Sequence, residues 1–149
     1  MQTGGIIPRK LTYEAYTVGW LCVLGCELNA ARALLDEEDE SLESVLHDDN
    51  TYLLGRIGKH NVVITFSDIY GTNSAAQAVT NLTRTFPNIR FGLMVGVGGA
   101  VPNSPHPGNP TKDIRLGDVV VSEPKGNHGK DPHFVSSRHS HTGTHNFHC

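Results

Sequence analysis

The sequence has little of what marks secreted, membrane-spanning or nucleic-acid-binding proteins. Its three cysteines are too few for a disulfide framework, and Cys22 and Cys26 are predicted to be reduced core thiols. The longest uncharged apolar run, residues 18–25, is far shorter than the roughly 20 residues that span a bilayer, and residues 1–10 lack the apolar centre of a signal peptide. A net charge of −3 gives no basic field to attract nucleic acid or an anionic membrane. We therefore expect a soluble, cytoplasmic protein that binds neither of them.

The pattern of apolar residues predicts one α/β domain. A chain of 149 residues suffices for a single core, and 38% hydrophobic residues are too many for a disordered chain. The predicted elements are strands at 16–24, 50–57, 61–66, 90–97 and 114–122, and helices at 27–35 and 72–85. Continuous apolarity in the first strand indicates burial on both faces, as in a parallel sheet. We expect a mainly parallel or mixed sheet flanked by helices.

The composition changes outside residues 16–124, which we interpret as the domain. Residues 1–15 are predicted to be an irregular lead-in, and residues 102–113 a proline-rich loop. Residues 125–149 contain six of the nine histidines without apolar periodicity, which predicts a disordered tail. Those histidines resemble a metal-binding tract in composition, but their spacing matches no known site, so no metal is expected.

Acidic residues are concentrated in one segment. Residues 36–49 hold eight of the fifteen acidic side chains. Such a run predicts a solvated helix end and loop, and the alternative is an acidic surface that binds a partner.

Glu27 is the first candidate for chemistry. It follows a predicted buried strand and lies in the first turn of a predicted helix, where ligands bind in open α/β sheets. A partly desolvated carboxylate there is expected to have a raised pKa and to act as a general acid or base. The alternative is a structural glutamate favoured by the helix dipole.

Two further junctions between strands and their neighbours carry polar or flexible residues. Glycines at 96, 98 and 99 follow a buried strand and let main-chain N–H groups approach a ligand, although a tight structural turn explains them equally well. Val101 stands where a dinucleotide fingerprint needs its third glycine. The segment 67–74 precedes a predicted helix, so it is either a site for a ribose or an anion or a simple N-cap formed by Thr72 or Asn73.

Taken together, segments 16–28, 70–76 and 92–122 resemble the purine and uridine phosphorylase superfamily. The shared features are a buried strand ending in Gly-Cys-Glu-Leu, the run Tyr-Gly-Thr-Asn-Ser, and a Gly-Gly turn followed by Asp-Ile-Arg-Leu-Gly-Asp-Val-Val-Val-Ser. The resemblance covers about residues 16–128. It is greatest to the fungal branch, in which a phosphorylase-like domain heads large receptors with NTPase and ankyrin or TPR modules. It implies a phosphorylase/hydrolase-like three-layer fold and an ancestry among enzymes that cleave the N-glycosidic bond of purine nucleosides.

The resemblance also implies roles for individual residues. Glu27 corresponds to the glutamate that activates water in the similar methylthioadenosine/adenosylhomocysteine nucleosidases. Gly98 and Gly99 correspond to the turn that contacts the nucleobase. Tyr70, Gly71 and Thr72 correspond to the loop that borders the ribose. The expected partner is a small-molecule nucleoside, with no cofactor, with phosphate as a candidate co-substrate, and with a homo-oligomer as a candidate assembly.

The sequence departs from the superfamily in three ways. Met94 stands where phosphorolytic members carry a phosphate-binding arginine, and Val97 stands where many carry serine or threonine. Both changes favour hydrolysis or binding over phosphorolysis. The resemblance ends near residue 129, before the residues that bind the ribose hydroxyls and protonate the base, so we expect a truncated form with little activity and a frame-shifted or intron-derived tail. The alternatives are a non-catalytic nucleoside-sensing module and a fragment that does not fold stably.

Overall fold

The computed structural model describes residues 8–67, 71–98 and 117–121. The chain divides into two compact units, and the first, which extends to Val97, holds every described helix and strand. The elements are a 3-10 turn (Tyr13–Ala15), strands β1 (Val18–Cys22), β2 (Glu37–Glu38), β3 (Thr51–Ile57), β4 (His60–Phe66) and β5 (Phe91–Met94), and helices α1 (Gly25–Ala33) and α2 (Thr72–Thr85). No described helix has the length and apolarity needed to cross a membrane.

The five strands form one mixed sheet in the order β2-β3-β4-β1-β5. Strand β1 is parallel to both of its neighbours, β4 and β5, whereas the β3–β4 and β2–β3 pairs are antiparallel. All five residues of β1 are buried, as its continuous apolar sequence predicts. The mixed α/β sheet expected from the sequence is therefore confirmed.

The two helices pack on opposite faces of this sheet. On one face, Ala31 of α1 joins a core formed by alternate residues of β1 and β4, namely Val18, Trp20, Cys22, Val62 and Ile64. On the other face, Leu82 and Phe86 pack with Tyr16, Leu54 and Val63. A Cβ on Gly19 of β1 would lie 2.7 Å from Cδ2 of Leu82, so glycine permits the close approach of α2. The three-layer architecture is confirmed by this alternation of side chains.

Phe86 is surrounded by aromatic rings on the α2 face. The ring centroids of Tyr13, Tyr16 and Tyr52 lie 5.7, 5.6 and 4.9 Å from that of Phe86, all at steep interplanar angles. Edge-to-face pairs of this kind add specific attraction to the burial of the rings. Tyr13 lies within the segment expected to be an irregular lead-in, and Leu11 packs on the same core. Residues 8–15 are thus folded onto the sheet.

The acidic segment is more structured than its charge suggests. It contains β2, and the side chain of Asp39 is fully buried, accepting hydrogen bonds from Arg9 Nε at 2.7 Å and Tyr16 Oη at 3.0 Å. Glu38 pairs with Arg32 of α1, and Glu37 lies 3.4 Å from Arg56 of β3. The prediction of a solvated helix end and loop is wrong for Asp39, which is buried, and for Glu37 and Glu38, which form β2, although Glu38 is exposed.

Several other predictions concern residues at the margins of the described structure. Residues 117–121, in the predicted strand 114–122, form no strand. The predicted loop at 102–113 and tail at 125–149 lie outside the described residues.

The two cysteines near α1 differ from each other. Cys22 is a free, buried thiol as predicted. Cys26 is disulfide-bonded, so the prediction of a reduced thiol is wrong for it.

Candidate functional site

The carboxyl ends of β1 and β5 meet at one edge of the sheet. The two strands are parallel, and Leu21 of β1 is in register with Met94 of β5. The N–H of Val95 donates to the carbonyl oxygen of Leu21 at 3.3 Å, which continues the pairing just past the end of β5. After β1 the chain enters α1, and after β5 it enters the glycine turn. This is the edge where open α/β sheets bind ligands.

Glu27 joins these two segments through its carboxylate. Oε2 accepts hydrogen bonds from the main-chain N–H groups of Val23 at 2.9 Å and Leu24 at 3.0 Å. Oε1 accepts one from the N–H of Val97 at 2.9 Å. Leu24 is the N-cap of α1, and Glu27 is the third residue of that helix, a position from which glutamate commonly satisfies the N-cap N–H. The structural alternative considered for Glu27 is therefore present in the fold.

The glycine turn depends on a glycine at residue 96. A Cβ at this position would lie 2.7 Å from Oε1 of Glu27 and 3.2 Å from its Cδ. No side chain fits so close to a carboxylate that is held by three hydrogen bonds. Gly96 thus allows the turn to approach Glu27, which gives the glycine at this position a structural role.

The environment of Glu27 lowers its pKa. Burial alone raises the pKa of this carboxyl, but the hydrogen bonds from Leu24, Val23 and Val97 stabilise the charged form and leave the pKa below its ordinary value of 4.5. The expectation of a raised pKa is therefore wrong. An ionised carboxylate at neutral pH acts as a base or as a hydrogen-bond acceptor, and it has no proton to donate as an acid.

Two clefts at this edge share Leu21, Val23 and Met94 as walls. One, of about 260 Å³, is also lined by Glu27 and the 95–97 turn. The other, of about 450 Å³, is also lined by Ser67, Gly71, Thr72 and Ala75. The structure thus brings Glu27, Gly71 and Thr72 to adjoining clefts. The sequence analysis did not predict the apolar walls of these clefts. The one local indication of them is Ala75, a small residue in the first turn of α2 that lines the larger cleft.

The start of α2 is set by Gly71. Its φ of +124° favours glycine, and it occupies the N-cap position without a side chain to cap the helix. Thr72 and Asn73 lie within the helix, so the prediction that one of them forms the N-cap is wrong. Gly98 begins the second unit and is exposed. The remaining predicted site residues, Tyr70 and Gly99, lie outside the described residues.

Met94 occupies the position at which the resemblance led us to expect a phosphate-binding arginine. Its side chain is 72% exposed and lines both clefts. Glu27 is the only charged residue among the described residues that line them. A group with negative charge would therefore meet a carboxylate here and no cationic side chain.

Comparison with known proteins gives one informative similarity. The chain is 51% identical over 129 residues, 86% of its length, to a nucleotide-binding leucine-rich repeat (NLR)-like protein from Hyaloscypha variabilis. The matched segment is 12% of that much longer protein. No protein-family model matches the chain, and no solved structure matches it.

Proposed function

We propose that this chain is a nucleoside-binding module of the kind that forms part of large multidomain receptors, and that it binds its ligand with little or no cleavage. Two lines of support come from different sources. Its relative is an NLR-like protein about eight times longer than the shared segment. Its sequence resembles the phosphorylase superfamily in the segments that carry Glu27, Gly71 and Thr72.

The observation that carries this proposal is the grouping of three predicted site residues at one edge of the sheet. Glu27 lines the smaller cleft, and Gly71 and Thr72 line the larger one. Apolar walls with a hydroxyl and main-chain groups at the rim suit a flat base joined to a sugar. The two volumes, about 260 and 450 Å³, are each in the range of a small-molecule site or slightly below it.

Binding is favoured over cleavage because the described site provides for only one side of the reaction. Glu27 is ionised, and the resemblance assigns it to activation of the nucleophile. No second carboxyl among the described residues lines the clefts to protonate a departing base. Loss of a general acid costs about 10²–10⁴-fold in rate.

Hydrolysis is the second candidate function. It is favoured over phosphorolysis by the exposed Met94, which cannot hold a phosphate.

Equilibrium binding and product analysis on the same purified chain distinguish these functions. Inosine, adenosine and methylthioadenosine are titrated by calorimetry, and release of free base is followed by chromatography with and without phosphate. We expect saturable binding of at least one nucleoside and turnover far below the ordinary enzymatic range of about 1 s⁻¹ and above. Turnover in that range would show that the chain is an enzyme.

A matched pair of variants locates the binding. Thr72→Val removes a hydroxyl from the larger cleft and is expected to weaken nucleoside binding several-fold. Thr51→Val makes the same change at the exposed start of β3, away from both clefts, and is expected to leave binding unchanged. If no nucleoside binds to the folded wild-type chain, the proposed function is wrong.

A further inference from the structure

We propose that a cavity between the acidic segment and the C-terminal end of α2 binds a small organic cation, an alkylammonium group carried by a free amine or by a lysine side chain. The cavity shares no lining residue with the two clefts at the carboxyl ends of β1 and β5. The cation site is therefore independent of the proposed nucleoside site. Its size, its charges and its apolar walls each support this class of ligand.

The cavity has a volume of about 230 Å³. It is lined by residues 41–45 and 48 of the acidic segment, by the start of β3, and by Tyr13 with Thr85 and Phe86 at the end of α2. Sites for drug-sized ligands begin at about 300 Å³. This cavity therefore suits a ligand of only a few heavy atoms, or the end of one side chain.

The charges around the cavity are of one sign. Asp48 and Glu43 are the charged side chains among the described residues that line it. The C-terminal end of a helix carries partial negative charge, and α2 ends at the cavity. Arg84, in the last turn of α2, does not line the cavity, and its guanidinium donates to the carbonyl oxygen of His47. The electrostatic potential in the cavity therefore favours a cation and disfavours an anion.

Asp48 is positioned by neutral donors. Its Oδ1 accepts a hydrogen bond from the main-chain N–H of Asn50 at 3.0 Å, and its Oδ2 accepts one from the hydroxyl of Tyr52 at 2.7 Å and another from the hydroxyl of Thr85. Within residues 8–67, 71–98 and 117–121, none of the ion pairs includes Asp48. The fold thus fixes this half-buried carboxylate without a counter-ion, and a bound cation would supply one.

Aliphatic side chains provide a surface for an alkyl chain. Those that line the cavity are Leu42, Val45 and Leu54. A short alkyl chain can pack against such side chains while its charged end stays with the polar groups, as the chain of a lysine does. The cavity therefore offers separate partners to the two ends of an alkylammonium ion.

The aromatic cluster forms another part of the wall. Tyr13, Tyr52 and Phe86 all line the cavity, and the face of an aromatic ring attracts a nearby cation. A bare metal ion is a poorer candidate, because the described part of the chain contains no group of three or more histidine, cysteine or acidic side chains that could hold one. An organic cation uses the rings, the aliphatic walls and the carboxylate together.

Probes with one alkyl chain and different charges test this preference. Pentylammonium, pentanol and pentanoate are titrated at pH 7, where the amine is protonated, into the full ¹⁵N-labelled chain, and main-chain N–H chemical shifts are followed by NMR. We expect saturable shifts from pentylammonium centred on residues 41–52, about tenfold weaker binding of pentanol, and no binding of pentanoate there. Equal binding of pentanol and pentylammonium overturns the proposal, as does the absence of saturable shifts at these residues.

A fourth probe identifies the source of the cation. Nα-acetyl-lysine N-methylamide carries the same ammonium group on a side chain attached to a peptide backbone. If it binds as tightly as pentylammonium, the cavity accepts a lysine side chain of a partner. If it binds about tenfold or more weakly, the ligand is a free amine. Either result supports the cation site.

Two variants with the same change of charge locate the site. Asp48→Asn keeps the size of the side chain and is expected to weaken pentylammonium binding about tenfold while leaving pentanol binding unchanged. Asp49→Asn changes the neighbouring exposed carboxylate, which does not line the cavity, and is expected to leave both unchanged. Equal weakening in both variants would indicate attraction to the acidic segment as a whole and would overturn the proposal. Circular dichroism checks folding, and if Asp48→Asn is unfolded, the wild-type comparison of pentylammonium with pentanol decides.

Discussion

The main-chain N–H of Val97 donates a 2.9 Å hydrogen bond to Oε1 of Glu27, a residue 70 positions earlier in the chain. The contact joins the turn after β5 to the first turn of α1, on the two sides of the candidate site. A single carboxylate therefore serves the helix N-terminus, the turn and the proposed ligand-binding edge. Changes at Glu27 should alter stability and ligand binding together.

Glu27→Gln should lower the free energy of unfolding by about 1 kcal/mol while preserving the fold, because glutamine has one acceptor oxygen where three N–H groups now share two. Urea unfolding at neutral pH measures the change. Glu40→Gln is the control and should stay within about 0.5 kcal/mol of wild type. An equal loss in both variants would mean that the three hydrogen bonds contribute nothing specific.

Acid should destabilise the wild-type chain through Glu27. The pKa of its carboxyl is lower in the folded state than the ordinary value of 4.5. Its stabilising contribution is therefore complete above that value and is lost as the pH falls through the lower folded-state pKa. Melting temperatures measured from pH 7 down to pH 3 should fall more steeply for wild type than for Glu27→Gln. Parallel curves for the two proteins would contradict the assignment.

Gly96→Ala should break the contact between the turn and α1. The added Cβ would lie 2.7 Å from Oε1 of Glu27, so either the carboxylate or the turn must move, and we expect a loss of about 1 kcal/mol for the hydrogen bonds involved. Gly92→Ala on β5 is the matched control, since a Cβ there meets no atom within 4 Å. Thermal unfolding of the two variants side by side gives the comparison, and equal stability of both would show that the turn tolerates a side chain.

Arg9→Ala should be more damaging than its position near the chain start suggests. It would leave the fully buried carboxylate of Asp39 with the Tyr16 hydroxyl as its remaining described partner. Removing one member of a buried pair costs several kcal/mol, and since Arg9 is 30% exposed we expect about 2 kcal/mol. Arg32→Ala breaks the exposed pair with Glu38 and should cost much less than Arg9→Ala. Denaturant titrations rank the two, and the reverse order would refute the burial argument.

The sequence predicted best those elements whose hydrophobic pattern lies within the element itself. The apolar run of β1 and the small-residue pattern of α2 are sufficient by themselves, and α2 begins and ends at the predicted residues, Thr72–Thr85. The structured part of the acidic segment was missed because Asp39 is buried against Arg9, 30 residues away. A run of carboxylates carries no information about a distant cation.

The same distinction applies to the candidate site. Sequence placed Glu27 and the glycine turn at strand ends, and parallel β1 and β5 bring those ends to one edge. The direction of the pKa shift was predicted wrongly because the effect of burial was not weighed against the hydrogen bonds that lower the pKa, from Leu24 and Val23 first and then from Val97. Burial of a carboxyl can be predicted from neighbouring residues. A hydrogen-bond donor 70 residues away in the sequence cannot be predicted in this way.

The distribution of aromatic residues gives the two faces of the sheet separate optical reporters. Trp20, the one tryptophan of the chain, is 8% exposed in the core on the α1 face. Tyr13, Tyr16 and Tyr52 surround Phe86 on the α2 face. Tryptophan emission should therefore follow the loosening of one layer, and near-ultraviolet circular dichroism of the tyrosines that of the other. Coincident transitions in the two signals would mean that α1 and α2 leave the sheet as one cooperative unit.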